Sequence, residues 1–271
     1  MSALRMAAVS ANFGRDIEAA FATIDKLVTE ARDQGVRLLV LPEATLGGYL
    51  ASLDGLAEGP PALDLDGPEI RRLAALAGDM VVTAGLCEQG SDTVYNSAVC
   101  VTGDGVLGVH RKVHQPLRES ASYGAGDRFA AFDTPIGRLG MMICYDKAFP
   151  EAGRALALDG AEIVTCLSAW PGSRTDPAPD LRDDRWKRRF DLFDLAGALH
   201  NQVVWVSANQ TGGFGTLRFV GSAKIVDPGG EILDETGVGE GVAVAELDVP
   251  AALERARRVM GHLRDRRPEA Y

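Results

Sequence analysis

The sequence predicts an α/β fold of mixed sheets flanked by helices. Three observations carry this. Short apolar strand-like runs alternate with segments whose apolar residues recur at helical spacing. Hairpins stand beside strand–helix units, which mixes antiparallel with parallel pairing. No shift in composition divides the chain: 271 residues, 46% of them hydrophobic, can bury about 75% of the unfolded surface as one large domain over 1–271.

The elements follow in order. Leu4–Val9 reads as an apolar strand. Asp16–Asp33 carries Ile17, Phe21, Ile24, Val28 and Ala31 at helical spacing, and Gly35 closes that helix. Arg37–Leu41 is an apolar strand stopped by Pro42. Pro68–Ala77 is a helix with proline in its first turn. Met80–Cys87 and Tyr95–Val101 are strands. The turn Gly103-Asp104-Gly105 joins the second to Val106–Lys112 as a hairpin. Leu139–Cys144 is a strand, Pro150–Asp159 a helix ended by Gly160, and Glu162–Leu167 a strand. Asp180–His200 reads as one long helix with Trp186, Phe190, Phe193 and Gly197 on a stripe. Val203–Ala208 is a strand, Ser222–Val226 and Gly230–Leu233 pair around Asp227-Pro228-Gly229, and Val242–Asp248 is the last strand before a basic helix.

Charge narrows the function classes. With 28 Lys and Arg against 38 Asp and Glu, the net charge is −10, and no basic block offers phosphates a landing site. The cluster Arg182, Arg185, Lys187, Arg188, Arg189 is interleaved with Asp183, Asp184 and Asp191, as on a solvated or interfacial helix face. No apolar run approaches the roughly 20 residues of a membrane span. The start, MSALRMAAVSANFG, is too short and polar for a signal segment, so a reducing cytoplasm is expected for Cys87, Cys100, Cys144 and Cys166.

The chemistry concentrates at three strand ends. Cys144 follows an apolar strand and precedes a turn and helix, where α/β enzymes place nucleophiles. Glu43 follows Leu39-Val40-Leu41-Pro42; a carboxylate there is poorly solvated, which suits a general base. Lys112 ends its strand and can present a fixed ammonium to a cleft. His110 and His114 alternate with it, but no further Cys or carboxylate stands at metal-ligand spacing, so no metal is expected. An acid, a cation and a thiol suffice for acyl transfer. Glu43 takes the thiol proton, Cys144 attacks a carbonyl or nitrile carbon, and Lys112 with the Tyr145 N–H holds the oxyanion.

These residues resemble the carbon–nitrogen hydrolase (nitrilase) superfamily, in its amidase-like branch. Leu41-Pro42-Glu43, Arg111-Lys112-Val113-His114 and Ile143-Cys144-Tyr145-Asp146 with Phe149-Pro150-Glu151 match its Glu–Lys–Cys triad in order and context. Gly160-Ala161-Glu162-Ile163, Ser207-Ala208-Asn209-Gln210, Gly221-Ser222 and the tail Arg264–Tyr271 are similar to further family segments, so the resemblance spans nearly the whole chain. It implies a four-layer α-β-β-α sandwich, no metal or organic cofactor, and a homodimer or higher homo-oligomer to which the tail 251–271 contributes. It implies Glu119 as a second glutamate that orients the lysine and the reacting water, and Tyr49 as a pocket wall. Trp170, with Pro171, is expected to line the pocket, and Lys147-Ala148 to lie near its mouth. The loops Asp54–Pro68, Arg118–Asp127 and Trp170–Asp180 decide what enters.

The implied reaction is hydrolysis of a non-peptide C–N bond in a small linear amide. The same triad serves an N-carbamoyl compound or a nitrile, but Cys144-Tyr145-Asp146 departs from the Cys-Trp-Glu of many nitrile-cleaving members. Two other classes are weighed: a non-catalytic binding relative, which predicts a broken triad, and acyl transfer to an amine, which predicts a partner domain or membrane span that this chain lacks.

Overall fold

In the computed structural model, which describes residues 3–54 and 58–270, the strands form one hydrogen-bonded path that folds over into two facing halves. In chain order come β1 (Leu4–Ala11), α1 (Ile17–Asp33), β2 (Leu38–Val40), α2 (Pro68–Ala77), β3 (Val81–Gln89), β4 (Val94–Thr102) and β5 (Gly105–Arg111). The second half brings β6 (Ala131–Thr134), β7 (Gly137–Ile143), α3 (Pro150–Leu158), β8 (Ile163–Ser168), α4 (Arg185–Asn201) and β9 (Val204–Phe214). The chain closes with β10 (Leu217–Val220), β11 (Lys224–Val226), β12 (Ile232–Glu235), β13 (Gly241–Leu247) and α5 (Val249–Val259). The spatial order is β5-β4-β3-β2-β1-β9-β8-β7-β6, with the two halves joined where Ser10 and Ala11 of β1 pair with Asn209 and Gln210 of β9.

The layers follow from side-chain alternation along the strands. Met6 and Ala8, Leu38 and Val40, and Ala98 and Cys100 point to one side, where they meet Leu139, Met141 and Ile143 of β7 and Val204 and Val206 of β9. The intervening residues, Ala7, Val9, Leu39, Val82 and Val99, pack outward against Phe21, Ile24 and Val28 of α1 and Ile70 and Leu73 of α2. In the other half, Met142, Val164, Cys166 and Trp205 pack outward against Ala152 and Leu156 of α3 and Ala198 of α4. The central strands β1, β2, β3, β7, β8 and the first part of β9 are buried on both faces, which is why their sequences read as near-continuous apolar runs, whereas β5, β6, β12 and β13 keep exposed positions. This is the expected four-layer α-β-β-α sandwich, with its two sheets continuous through β1 and β9.

Three boundaries differ from the sequence reading. The expected helix Asp180–His200 is two pieces: a short 3-10 turn over Leu181–Asp183, then α4. Asp184 separates them, because its carboxylate accepts the backbone N–H of Trp186 at 2.8 Å and caps α4. β9 runs on through Asn209-Gln210-Thr211-Gly212-Gly213, a polar stretch that reads as loop. The unanticipated β10 pairs with it there, Val220 opposite Thr211 and Phe219 opposite Gly212. β6, also unanticipated, is a four-residue mate for β7.

This topology aims the chain ends at one rim. β3, β2, β1, β9, β8 and β7 are parallel neighbours, so their carboxyl ends coincide. Two antiparallel steps, β3 to β4 and β4 to β5, return β5 to the direction of β2. The residues just beyond β2, β5, β7 and β8 therefore emerge together, and these segments hold Glu43, Lys112, Cys144 and Ala169.

Candidate active site

Glu43 sits in a tight turn after β2. Gly85 of β3 runs against that turn so closely that a Cβ on it would stand 2.3 Å from the Ala44 nitrogen, and only glycine fits. The turn is pinned on both sides, with Gly85 N–H donating to the Pro42 carbonyl at 3.1 Å and Leu46 N–H to the Gly85 carbonyl at 3.0 Å. Ala44 takes a left-handed φ of 57° and Cys144 one of 48°, an uncommon conformation for residues with a Cβ. Strain of this kind persists where surrounding structure holds it, as it does beside Glu43 and at the thiol.

Lys112 lies at the centre. Its ammonium stands 2.8 Å from Glu43 Oε1 and 2.8 Å from Glu119 Oε2, with all three side chains wholly buried. Asn96 Nδ2 donates to Oε1 of both glutamates at 2.7 Å, and the Ala169 N–H donates to Glu43 Oε2 at 2.6 Å. Burial disfavours charge on Lys112, but Glu119 and Glu43 outweigh it and hold the ammonium pKa well above its usual value. Burial pushes Glu119 up, and Lys112 pulls against that. Glu119 Oε2 receives no hydrogen bond among the described residues, although the ammonium is near it. The ammonium sits between both oxygens of this carboxylate, 3.0 Å from Oε1 and 2.8 Å from Oε2.

The Cys144 thiol is 4% exposed. Burial, and next the Glu43 charge, push its pKa well above the ordinary thiol value, while Lys112 pulls it down. At neutral pH it rests protonated, so it needs a base to become a nucleophile, and Glu43 is the carboxylate whose charge it senses most. Burial alone raises Cys100, to about 12, and burial is the chief reason Cys166 rises to about 12 and Cys87 to about 11. Cys166 also senses an ammonium and a carboxylate, Lys147 and Asp194, but these two are paired to each other at 2.8 Å, and none of Cys87, Cys100 and Cys166 lines the cavity that Cys144 does.

Asp146 anchors the turn that carries the thiol. Its buried carboxylate accepts the Ile143 N–H at 3.0 Å and the His114 N–H at 2.8 Å, and it meets His110 Nε2 and His114 Nδ1 at 3.0 Å each. The two histidines weighed as metal ligands are thus committed to a carboxylate. Among the described residues no cluster of such side chains is arranged to hold a metal ion. Burial raises the Asp146 pKa, but hydrogen bonds from His110, His114 and Ile143 outweigh it and hold the carboxyl below its ordinary range. A carboxyl depressed by folding contributes stability above its unfolded value of about 3.9, lost as pH falls through the folded value. Asp146→Ala should therefore cost on the order of 3–5 kcal/mol at pH 7, and its unfolding midpoint in urea should show a weaker dependence on pH below about 4. An unchanged acid limb would show that Asp146 does not bear this load.

A cavity of about 400 Å³ opens onto the thiol. Tyr49, Tyr145, Trp170 and Pro171 line it, and so does Ala148. Trp186, Arg189 and Phe193 of α4 continue the wall from Trp170. The Tyr49 ring lies 5.7 Å from the Lys112 ammonium, and burial, with Glu119 and Glu43, keeps its phenol protonated far into the alkaline range. Leu53 and Leu117 contribute beside two of the expected wall loops; residues 55–57 of the loop Asp54–Pro68 lie outside the described residues.

Lys147 departs from its expected place at the pocket mouth. Its ammonium is buried against Asp194 Oδ1 at 2.8 Å and rests 3.0 Å from the Phe190 ring centroid, behind the wall rather than on it. The turn after Cys144 is helical, so consecutive side chains diverge: Ala148 faces the cavity and Lys147 faces α4. Two contributors went unread in the sequence. Asn96 is one asparagine in a strand, with nothing local to mark it. Arg189 was absorbed into a basic cluster, though its spacing of three from Trp186 and four to Phe193 places it on their face.

The family model for carbon-nitrogen hydrolases matches residues 5–257. The chain is 33% identical to a nitrilase from Pyrococcus abyssi over 261 residues, covering 93% of this chain and 92% of that one. It is 32% identical to N-carbamoylputrescine amidase from Arabidopsis thaliana, covering 94% and 90% of the two chains. Among solved structures it resembles, at a TM-score of 0.80 and 25% identity over 99% of this chain and 95% of the other, a glutamate-to-glutamine mutant of the amidase from Nesterenkonia sp. AN1. That structure shows covalent addition of the acetamide moiety of fluoroacetamide at the active site cysteine.

Proposed function

The chain belongs to the carbon–nitrogen hydrolase family, and from that premise we propose that it hydrolyses the C–N bond of a small linear amide through a thioester on Cys144. The observation that carries the reading is the buried Glu43–Lys112–Glu119 cluster beside a protonated thiol at the floor of an apolar cavity. Glu43 removes the thiol proton as Sγ bonds to the carbonyl carbon, and the carbonyl π electrons move to oxygen. The Lys112 ammonium and the Tyr145 N–H take up that charge. Collapse of the adduct breaks the C–N bond, and Glu43 returns the proton to the departing ammonia or amine. Glu43 then deprotonates water, which adds to the thioester; the second collapse releases a carboxylic acid and restores the thiol. Glu119 fixes the lysine and, with it, orients the attacking water. Tyr49 and Trp170 shape the acyl pocket, whereas Lys147 acts on it only through the wall.

A carbamoyl substrate is the second reading, favoured by the Arabidopsis relative. One experiment tests both. Mixing the enzyme with a panel of amides, carbamoyl compounds and nitriles and quenching early should give an acyl mass on Cys144, with ammonia and acid, but no carbon dioxide, released from amides. An adduct on another residue would overturn the nucleophile assignment, and carbon dioxide as a major product would transfer the function to the carbamoyl class.

The single domain over 1–271, the homodimer and the cytoplasmic location belong to the same proposal. Exposed Leu158 of α3 and Leu192 and Leu199 of α4 support a second copy packing there, with the tail 251–271 beside it. The four cysteines are all free thiols, as a reducing compartment keeps them. Among the described residues no helix is long and apolar enough to cross a membrane.

A further inference from the structure

Among the described residues, Arg189 is the only charged one on the wall of the cavity that ends at Cys144. It stands on α4 between Trp186 and Phe193, at the three- and four-residue spacing that shares a helix face. Of the other basic residues in this stretch, Arg182 is committed to Asp180, Arg185 to Ser173 and Thr175, and Lys187 to Asp191, while Arg188 does not line the cavity. Arg189 forms no hydrogen bond or ion pair among the described residues, and it is exposed at the opening. Around it the wall is aromatic: Trp170 packs its ring centroid 6.3 Å from Trp186 and 5.9 Å from Phe193. At the floor, two carboxylates, Glu43 and Glu119, share the single Lys112 cation.

We infer that Arg189 reads a carboxylate on the substrate, so that the favoured amides are monoamides of dicarboxylic acids with an apolar spacer between the two ends. The inference rests on the amide reading and names its substrate class. The charges give the substrate one orientation. An anion is repelled from the floor by the excess carboxylate and attracted at the mouth by an unpaired guanidinium, whose fork matches a carboxylate with two parallel N–H donors. The uncharged amide is the end that reaches Cys144. The aromatic walls accept methylenes between the two ends and offer an amine no counter-charge. They also lower the local dielectric, which strengthens the pair relative to one in open water.

The test compares the monoamide of glutaric acid with its uncharged analogue valeramide and an amine-terminated aminovaleramide, in wild type, Arg189→Gln and Arg189→Lys. Wild type should prefer the monoamide over valeramide in kcat/KM by about tenfold or more, as a hydrogen-bonded charge pair provides. The aminovaleramide should be the poorest. Arg189→Gln should erase the preference through KM, Arg189→Lys should keep part of it, and added salt should shrink it in wild type. Calorimetric binding of the same three amides to Cys144→Ala, with and without Arg189→Gln, reads the preference without turnover. An equal monoamide preference with and without Arg189, or none in wild type, overturns the inference even if valeramide is hydrolysed. No acyl adduct on Cys144 from any of the three overturns the amide reading instead, and the binding arm still decides Arg189.

Discussion

Glu43→Gln is expected to fold and to lose turnover by a factor of at least about 10²–10⁴, the worth of a positioned general base. The thiol rests protonated, and burial and the Glu43 charge keep it so. Without a base, the thiolate fraction at neutral pH is too small to sustain attack, and the leaving nitrogen has no proton donor. The variant also meets a local conflict. Glu43 Oε1 receives Lys112 and Asn96 while Oε2 receives the Ala169 N–H. A glutamine that keeps its oxygen toward Lys112 turns its NH₂ against that N–H, which costs about 1–3 kcal/mol for unsatisfied donors. The measurements are kcat on an amide and the thermal midpoint of both proteins. Full activity in the variant would remove Glu43 as the base; a collapsed midpoint would make its main role structural.

Lys112→Met keeps a side chain of similar length but removes the cation between two buried carboxylates. Glu43 and Glu119 are then joined through Asn96 alone, and two unneutralised charges in a low-dielectric site are strongly unfavourable. The expected loss is about 3–5 kcal/mol at pH 7, as for any buried pair broken on one side. Activity should fall by a further 10²–10³ or so through the lost oxyanion partner. The pH dependence has a definite sign. In wild type the folded Lys112 pKa is raised, so its stabilisation is fully present below the unfolded value of about 10.4 and is lost only as pH climbs through the folded value. Across pH 5–8 this group leaves wild type level. In the variant the carboxyls carry the titration. Burial already raises Glu119, and without the cation only the Asn96 hydrogen bond opposes it. A raised carboxyl favours folding at low pH, so the variant's midpoint in urea should improve on going from pH 8 to pH 5. A variant as stable as wild type at every pH would mean that the cation does not neutralise the pair.

Much of this was legible in the sequence because burial on both faces leaves a plain signature. Strands packed between two layers are apolar at most positions, so β1, β2, β4, β7 and β8 announced themselves within a residue or two. α2 matched to the residue, with proline at its start and Gly78 just past its end. β10 and the far end of β9 did not, because residues 209–213 are polar or glycine and nothing local distinguishes a paired edge from a loop. The break at Asp184 was hidden for a related reason. An aspartate inside a helical pattern becomes a cap only once its carboxylate finds the Trp186 and Ser173 N–H groups.

The site divides the same way. Glu43, Lys112, Cys144 and Glu119 were named from strand ends and motif order, and the structure brings all four to one rim. Which side of the turn Lys147 takes, that Asn96 bridges two glutamates, and that Arg189 has no ion pair among the described residues while lining the cavity were not in the sequence. The sequence by itself determined the residue types at each strand end and the apolar pattern that buries them, because covalent order and hydrophobicity are local properties. Tertiary structure alone decided which charges neutralise one another and which is left over for a ligand, because that depends on distances between segments far apart in the chain.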